Sequence, residues 1–175
     1  MATLGVIPLS GINFEVFANS NRFLGLAEVS LPDLDFSKVD MSGAGIAGDF
    51  QAIIKGFVKS AELELTWHTI NSDLNFFAEQ KAKDLQIYGA MENYNSSTGE
   101  LKTEQVKIAL RGFNKKLNLG TLKSAEQTGT KTTLEILYMQ VTVGGKVVLE
   151  FDKINNKFIV NGVDYLEDVR KALNI

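Results

Sequence analysis

The chain contains no cysteine, and this absence excludes several kinds of site. There can be no disulfide framework, no zinc site built on thiolates and no cysteine nucleophile. A chain of 175 residues with 45% hydrophobic residues can bury a sizeable core without such support. We therefore expect a single domain over residues 1–175.

Other features are scarce as well. The sequence has only two prolines, and no repeat or low-complexity tract divides it. No apolar stretch approaches the roughly 20 residues that a membrane helix needs. Residues 1–8 lack the basic start and the apolar stretch of a secretory signal. These absences predict no stable membrane association.

The charge is nearly balanced, with 18 basic and 21 acidic residues and a net charge of -3. This balance does not favour a nucleic-acid surface. Residues 1–100 carry 13 acidic and 6 basic side chains, whereas residues 101–175 carry 8 and 12. Two interpretations stay open, which are an uneven solvated surface and complementary faces for head-to-tail association.

Alternation of apolar and polar residues is the main pattern in the sequence. Between Ala61 and Thr69 the side chains of Leu63, Leu65 and Trp67 share one face of a predicted strand. The opposite face carries Glu62, Glu64, Thr66 and His68. Such alternation is typical of a half-buried antiparallel strand.

Similar patterns predict a mainly β fold with one or two short helices. The other predicted strands are Asn13–Ala18, Arg22–Ser30, Asp84–Tyr88, Gln105–Arg111, Thr132–Val143, Lys146–Asp152 and Lys157–Val160. Residues 19–21, 93–99 and Gly144-Gly145 are the predicted turns between neighbouring strands. One helix is expected to open at Asn71-Ser-Asp73, with Asn71 or Ser72 as N-cap, and to run to about Lys81. Another is expected over Val163–Ala172.

The segment Gly43-Ala-Gly45-Ile-Ala-Gly48 matches the GxGxxG pattern of dinucleotide-binding folds, with Glu62 at the distance of a ribose-binding carboxylate. That motif needs a buried parallel strand before it and a helix after it. The flanking residues instead predict the two strands of a long hairpin, Leu34–Ser42 and Asp49–Lys55. The glycines then form its tip, and the apolar Met41 and Ile46 favour contact with a partner.

The single histidine, His68, falls near Glu62, Glu64 and Asp73, which suggests a carboxylate-rich metal site as one alternative. Strand alternation favours the other alternative, a polar face turned to solvent or to an interface. A Ser-His-Asp triad would also need a nucleophile context such as GxSxG, which the sequence lacks. We predict no catalytic residue, no metal ligand and no cofactor.

The C-terminal third carries the most specific pattern. Residues Thr133–Asp152 and Phe158–Asn174 resemble the major tail tube proteins of contractile-tailed phages and R-type bacteriocins. The turn Val160-Asn-Gly-Val-Asp164, which leads into an amphipathic terminal helix, is the most specific part of the resemblance. The hairpin around Gly43–Gly48 and the strand Leu63–Trp67 match that family more loosely.

The resemblance implies an antiparallel β-sandwich or half-barrel with a long protruding hairpin. It also implies hexameric rings that stack into a tube, with a continuous β-barrel as the lumen. The expected partners are other copies of the chain, the tail sheath protein, the tape-measure protein, and the baseplate and tail terminator proteins. DNA would pass through the lumen of a phage tail, but not of a bacteriocin.

The place of action implied is a virion tail or a released phage-tail-like particle, assembled in the bacterial cytoplasm. A tube subunit of a type VI-like injection system is the alternative, and a nucleotide-binding enzyme, indicated only by the GxGxxG match, is a distant one. Within this family the loop Met41–Asp49 and the segment Val160–Leu173 would contact neighbouring subunits, and acidic strand positions would line the lumen and repel DNA. The residues concerned are Met41, Gly43, Gly45, Ile46 and Gly48 in the loop, Asn161, Gly162, Leu166 and Val169 in the segment, and Glu62 and Glu64 in the lumen.

Overall fold

The computed structural model of the chain describes residues 5–18, 21–22 and 25–175. Within these residues the chain forms twelve strands and two short helices. The strands are β1 Val6–Ala18, β2 Asn21–Arg22, β3 Leu26–Ser30, β4 Phe36–Met41, β5 Phe50–Val58, β6 Glu62–Trp67, β7 Lys83–Asn95, β8 Glu100–Asn118, β9 Thr130–Val143, β10 Lys146–Asp152, β11 Lys157–Val160 and β12 Val163–Asp164. The helices are α1 Leu74–Ala78 and α2 Glu167–Leu173. The mainly β fold with two short helices is confirmed.

Ten strands form one antiparallel sheet, whose main path has the order β12-β11-β10-β9-β8-β7-β1-β2. The sheet branches at β9, because the first half of this strand pairs with β6 while its second half pairs with β10. Strand β3 continues the branch beside β6. Strands β4 and β5 form a separate two-stranded sheet, which is the predicted long hairpin.

The hydrophobic core lies on the inner face of the branched sheet. Leu63, Leu65 and Trp67 of β6 have no exposed surface, as the alternation predicted. They pack with residues of β1, β7, β8, β9, β10 and β11. The contributing side chains include Val16, Leu85, Ile87, Ile108, Leu110, Leu134, Ile136, Met139, Phe151 and Phe158.

The local hairpins agree well with prediction. Gly144 and Gly145 join β9 to β10 with φ values of 54° and 80°, as a primed turn requires. Strands β7 and β8 form the predicted hairpin but are longer, so that the turn shrinks to residues 96–99. Strand β11 has the predicted bounds.

Two strand predictions near the N-terminus were wrong in extent. Strand β1 begins at Val6 rather than Asn13, because residues 6–17 pair along β7. The predicted strand Arg22–Ser30 is divided into β2, which pairs with β1, and β3, which pairs with β6. Residues 19–20 of the predicted turn lie outside the described residues.

Both helices are shorter than predicted. The N-cap of α1 is Asp73 and not the predicted Asn71 or Ser72, and the helix ends at Ala78. Asn71 Oδ1 accepts a hydrogen bond from the Asp73 amide at 3.1 Å, which places Asn71 in the turn before the helix. Its Leu74 and Phe77 are buried, as expected. Helix α2 begins only at Glu167, because residues 163–164 pair with β11 as a short strand instead of opening the helix.

Candidate interaction surface

The hairpin β4–β5, called the arm below, has one apolar face and one largely polar face. Its register places Met41 opposite Phe50 and Val39 opposite Ala52, and cross-strand partners share a face. Ile54 lies on the same side by alternation. The other face carries Lys38, Asp40, Gln51, Ile53 and Lys55, and Gln51 donates a hydrogen bond to Asp40 at 2.9 Å.

The apolar face of the arm is open to solvent in the isolated protomer. Val39, Met41 and Phe50 are 46%, 40% and 51% exposed. A two-stranded hairpin is marginally stable alone, and contiguous exposed apolar surface of this kind marks interaction sites. The arm therefore has an apolar face that the protomer itself leaves uncovered.

The tip of the arm contains the GxGxxG residues. Gly43, Gly45 and Gly48 have φ values of 143°, 90° and 122°, which residues with side chains rarely adopt. The segment connects two antiparallel strands of a hairpin, and no helix follows it. The geometry is therefore that of a hairpin loop and lacks the helix N-terminus on which a pyrophosphate would bind.

The C-terminal segment combines buried and exposed residues. Asn161 and Gly162 form the predicted turn, with φ values of 49° and 82°. Leu166 is only 4% exposed and belongs to the core of the protomer, and Val169 packs against that core. The exposed apolar residues of the segment are Val163, Tyr165 and Leu173. Leu166 thus packs within its own chain. The apolar stripe of the helix alone does not distinguish this packing from a contact with another chain.

Polar contacts of Arg170 hold α2 on strand β12 and on the turn between β10 and β11. Arg170 Nη2 lies 2.5 Å from Asp164 Oδ2, and Arg170 Nη1 donates to the Asn156 carbonyl oxygen at 2.8 Å. Asp164 Oδ1 also accepts from the Leu166 amide at 2.9 Å. The Arg170 hydrogen bond holds the pKa of Asp164 below its usual value of 3.8, despite the opposing effect of burial.

This ion pair predicts an acid-sensitive attachment of α2. Because the folded pKa of Asp164 is lowered, its contribution to stability is present at neutral pH and is lost as the pH falls below about 4. We expect the Tm of the wild-type protein to fall more steeply between about pH 4 and pH 2.5 than that of Asp164→Asn. Calorimetry across this pH range measures the difference, and parallel curves would contradict the prediction.

The main sheet has a polar face that sequence reasoning did not select as a site. One row of cross-strand neighbours runs over five strands and consists of Lys157, Asp152, Tyr138, Arg111 and Asp84. Arg111 forms two hydrogen bonds with Asp84, at 2.6 Å and 2.9 Å, and these lower the pKa of the Asp84 carboxyl. The alternation within Asp84–Tyr88 and Gln105–Arg111 was the signal that could have identified this face.

Glu62 and Glu64 lie on the outward face of β6 and are not packed in the core. Glu62 pairs with Lys115, and Glu64 Oε1 lies 2.7 Å from Lys131 Nζ. These bonds leave both carboxylates partly exposed, at 45% and 34% of their side-chain surface. Their assignment to a lumen stays a prediction.

Strand β1 forms a partly uncovered edge of the main sheet. Within the described residues, β1 pairs with β2 only at Phe17 and Ala18, so residues 6–14 have β7 on one side and no described strand on the other. Val6, Ile7, Leu9 and Ile12 of this edge are exposed. An exposed apolar edge strand is a template for pairing with another chain.

The described part of the chain contains neither a candidate metal site nor a helix that could span a membrane. Among these residues, no group of three or more His, Cys, Asp or Glu side chains could hold a metal ion, and this includes the surroundings of His68. None of the helices there is long and apolar enough to cross a membrane.

Comparison with known proteins agrees with this geometry. The family model for phage tail tube protein FII matches residues 12–173. The chain belongs to the phage tail tube protein FII family. The family is one of structural tail tube proteins. The tail tube protein of Escherichia phage P2 is 29% identical to this family member over 167 residues, which cover 91% of this chain and 94% of the phage protein.

A solved structure shares the fold of this tail tube family member. The sheath/tube terminator of PVC, an extracellular contractile injection system, in its extended state gives a TM-score of 0.54 at 16% identity, over 77% of this chain and 96% of the other. A chain of the PVC sheath–tube complex gives a TM-score of 0.48 at 16% identity, over 78% and 90%.

Proposed function

We propose that the protein is the structural subunit of the inner tube of a contractile phage tail or of a phage-tail-like bacteriocin. Membership of the tail tube family supports the tube itself. The observation that supports self-assembly is the open apolar face of the arm. Val39, Met41 and Phe50 are exposed to water there, and burying them against a partner would be favourable.

The partner that we propose for the arm is a second copy of the chain. Each protomer offers a projecting apolar face and a free β1 edge, which are different surfaces. Contacts between different surfaces are heterologous, and they close into a ring when the rotation between copies allows it. We propose six copies in a ring and stacking of rings into a tube.

A ring joined through sheet edges turns one face of every sheet inwards. We propose that the polar face with Asp84 and Arg111 lines the lumen, since the opposite face is the hydrophobic core. Glu62 and Glu64 belong to the same lining if the branch formed by β6 also faces the lumen. In a phage tail, DNA would pass along this surface, and the carboxylates paired with Arg111, Lys115 and Lys131 would weaken the attraction of these cations for its phosphates.

The remaining partners follow from the place of a tube in such a particle. We propose the sheath protein as outer partner, the tape-measure protein within the growing tube, and baseplate and terminator proteins at its ends. The exposed Val163, Tyr165 and Leu173 of the C-terminal segment are candidates for contacts outside the protomer. Assembly would take place in the bacterial cytoplasm.

Negative-stain electron microscopy of the concentrated protein, with light scattering for mass, tests the proposal. We expect rings or hollow tubes, and a mass that rises in steps of a ring. A monomer at every concentration, both alone and with baseplate present, would contradict it.

A further inference from the structure

The base of the arm is a bend in β5. The ladder between β4 and β5 runs from Met41–Phe50 to Lys38–Ile53 and resumes only at Phe36–Val58. Gly56 lies within this interruption and has a φ of 69°, in the left-handed region that favours glycine. Bulges and glycines inside strands bend them, so that Gly56 sets the angle at which the arm leaves the protomer.

Leu166 fills the space beside Gly56. A Cβ atom added to Gly56 would lie 2.5 Å from Leu166 Cγ and 2.7 Å from both Leu166 Cδ atoms. Any side chain at position 56 would therefore collide with Leu166, which is itself almost fully buried. The contact joins the foot of the arm to a segment close to the C-terminal end of the chain.

Leu166 is fixed from the other side by groups that do not belong to the arm. Its amide donates to Asp164, and Arg170 ties Asp164 to α2 and to the Asn156 carbonyl oxygen. Phe36, at the base of β4, packs edge to face on Phe158 of β11 with 5.6 Å between ring centroids. The base of the arm thus packs on β11, β12 and α2, while the apolar face of the arm remains exposed.

We propose that Leu166 is a positioning residue, which braces the arm at Gly56 and holds its apolar face in the direction needed for docking. The C-terminal segment then governs assembly from inside the protomer and not only through exposed contacts. This inference rests on the proposed function. A docking element that is held in its bound orientation binds more tightly, because less conformational freedom is lost on association.

Three variants test the brace, namely Leu166→Ala, Gly56→Ala and the double variant. Leu122→Ala is the matched control, because Leu122 is an 81% exposed leucine outside the arm and the C-terminal segment. Amide hydrogen exchange on the dilute protomer reports on the arm directly. We expect Leu166→Ala to speed exchange in β4 and β5 about tenfold or more, with β7 to β9 unchanged. The Leu122→Ala control should behave as wild type.

Assembly gives the second readout, measured as the critical concentration by light scattering. Each single variant should raise the critical concentration for assembly about tenfold or more. The double variant should assemble better than the product of the two single effects, because the methyl group added by Gly56→Ala occupies space that Leu166→Ala vacates. The strain of alanine at a φ of 69° remains, so that rescue is incomplete.

The outcomes separate the brace from the proposed function. Unchanged exchange in β4 and β5, or multiplicative losses of assembly in the double variant, would overturn the brace. If exchange rises only in the arm but the wild-type protein never assembles, the positioning role of Leu166 is supported and the proposed tube function is contradicted. Faster exchange throughout β7 to β9 would overturn the positioning role, since Leu166 would then support the whole core.

Discussion

Replacing Phe50 by glutamate is expected to stop ring assembly while leaving the protomer folded. Phe50 lies on the apolar face of the arm, half exposed, and the protomer gains little from it. In an assembled interface the same ring would be buried, where loss of an aromatic anchor costs about 2 kcal/mol or more per contact. A buried carboxylate without a partner adds to that cost. The critical concentration should rise at least about 30-fold.

Ile53→Glu is the matched control for this variant. Ile53 is an exposed apolar residue of the same strand, 66% accessible, but it lies on the polar face of the arm. Light scattering and electron microscopy measure assembly, and circular dichroism measures the fold. Normal tubes from Phe50→Glu would show that the docking face is elsewhere. Equal losses in both variants would show that the arm is enclosed on both faces.

The sequence predicted best those elements whose pairing is local. The Gly144-Gly145 turn joins adjacent strands, and both positive φ values follow from the two residues themselves. The arm was predicted for the same reason, because its two strands alternate and are joined by a short glycine-rich tip. The face of β6 that carries Leu63, Leu65 and Trp67 needed only the period of two.

Elements that depend on distant partners were predicted less well. Residues 6–12 do not alternate clearly, and they are a strand because β7, far along the chain, offers them an edge. Val163 and Asp164 continue a plausible helix pattern, but pairing with β11 draws them into β12. The branch at β9 cannot be read from its own residues, since it depends on where β6 and β10 end.

The candidate site shows the same division. The apolar character of Met41 and Ile46 favours contact between the arm and a partner, and this stays a prediction. It does not tell which face of the hairpin is apolar, since this requires the register. The helical stripe identified Leu166 as apolar, but not that its partner is Gly56. A glycine leaves no side-chain signal in the sequence, and only the backbone angle and the neighbouring atoms reveal why it is needed.

Trp67→Ala is expected to have the largest effect on stability. Trp67 has no exposed surface, and its ring packs edge to face on Phe77 with 5.7 Å between centroids. Its Nε1 atom donates to Thr132 Oγ1 at 3.2 Å, and Thr132 is also buried. Removing a large buried aromatic ring typically lowers the free energy of unfolding by about 3–5 kcal/mol. For a chain of this size the Tm should fall by roughly 10 °C or more.

The Tm should be measured in the Phe50→Glu background, because assembly would otherwise raise the apparent Tm by mass action. Trp67→Phe keeps most of the ring but loses the N–H group, so that it should cost less than the alanine variant. Thr66→Ala, on the opposite face of the same strand, should stay within about 0.5 kcal/mol of its parent. If Trp67→Ala and Thr66→Ala shifted the Tm equally, the buried face of β6 could not be the centre of the core.

Since the arm rests on that core only through its base, Trp67→Ala with Phe50 intact should still assemble at low temperature, which would separate folding from docking.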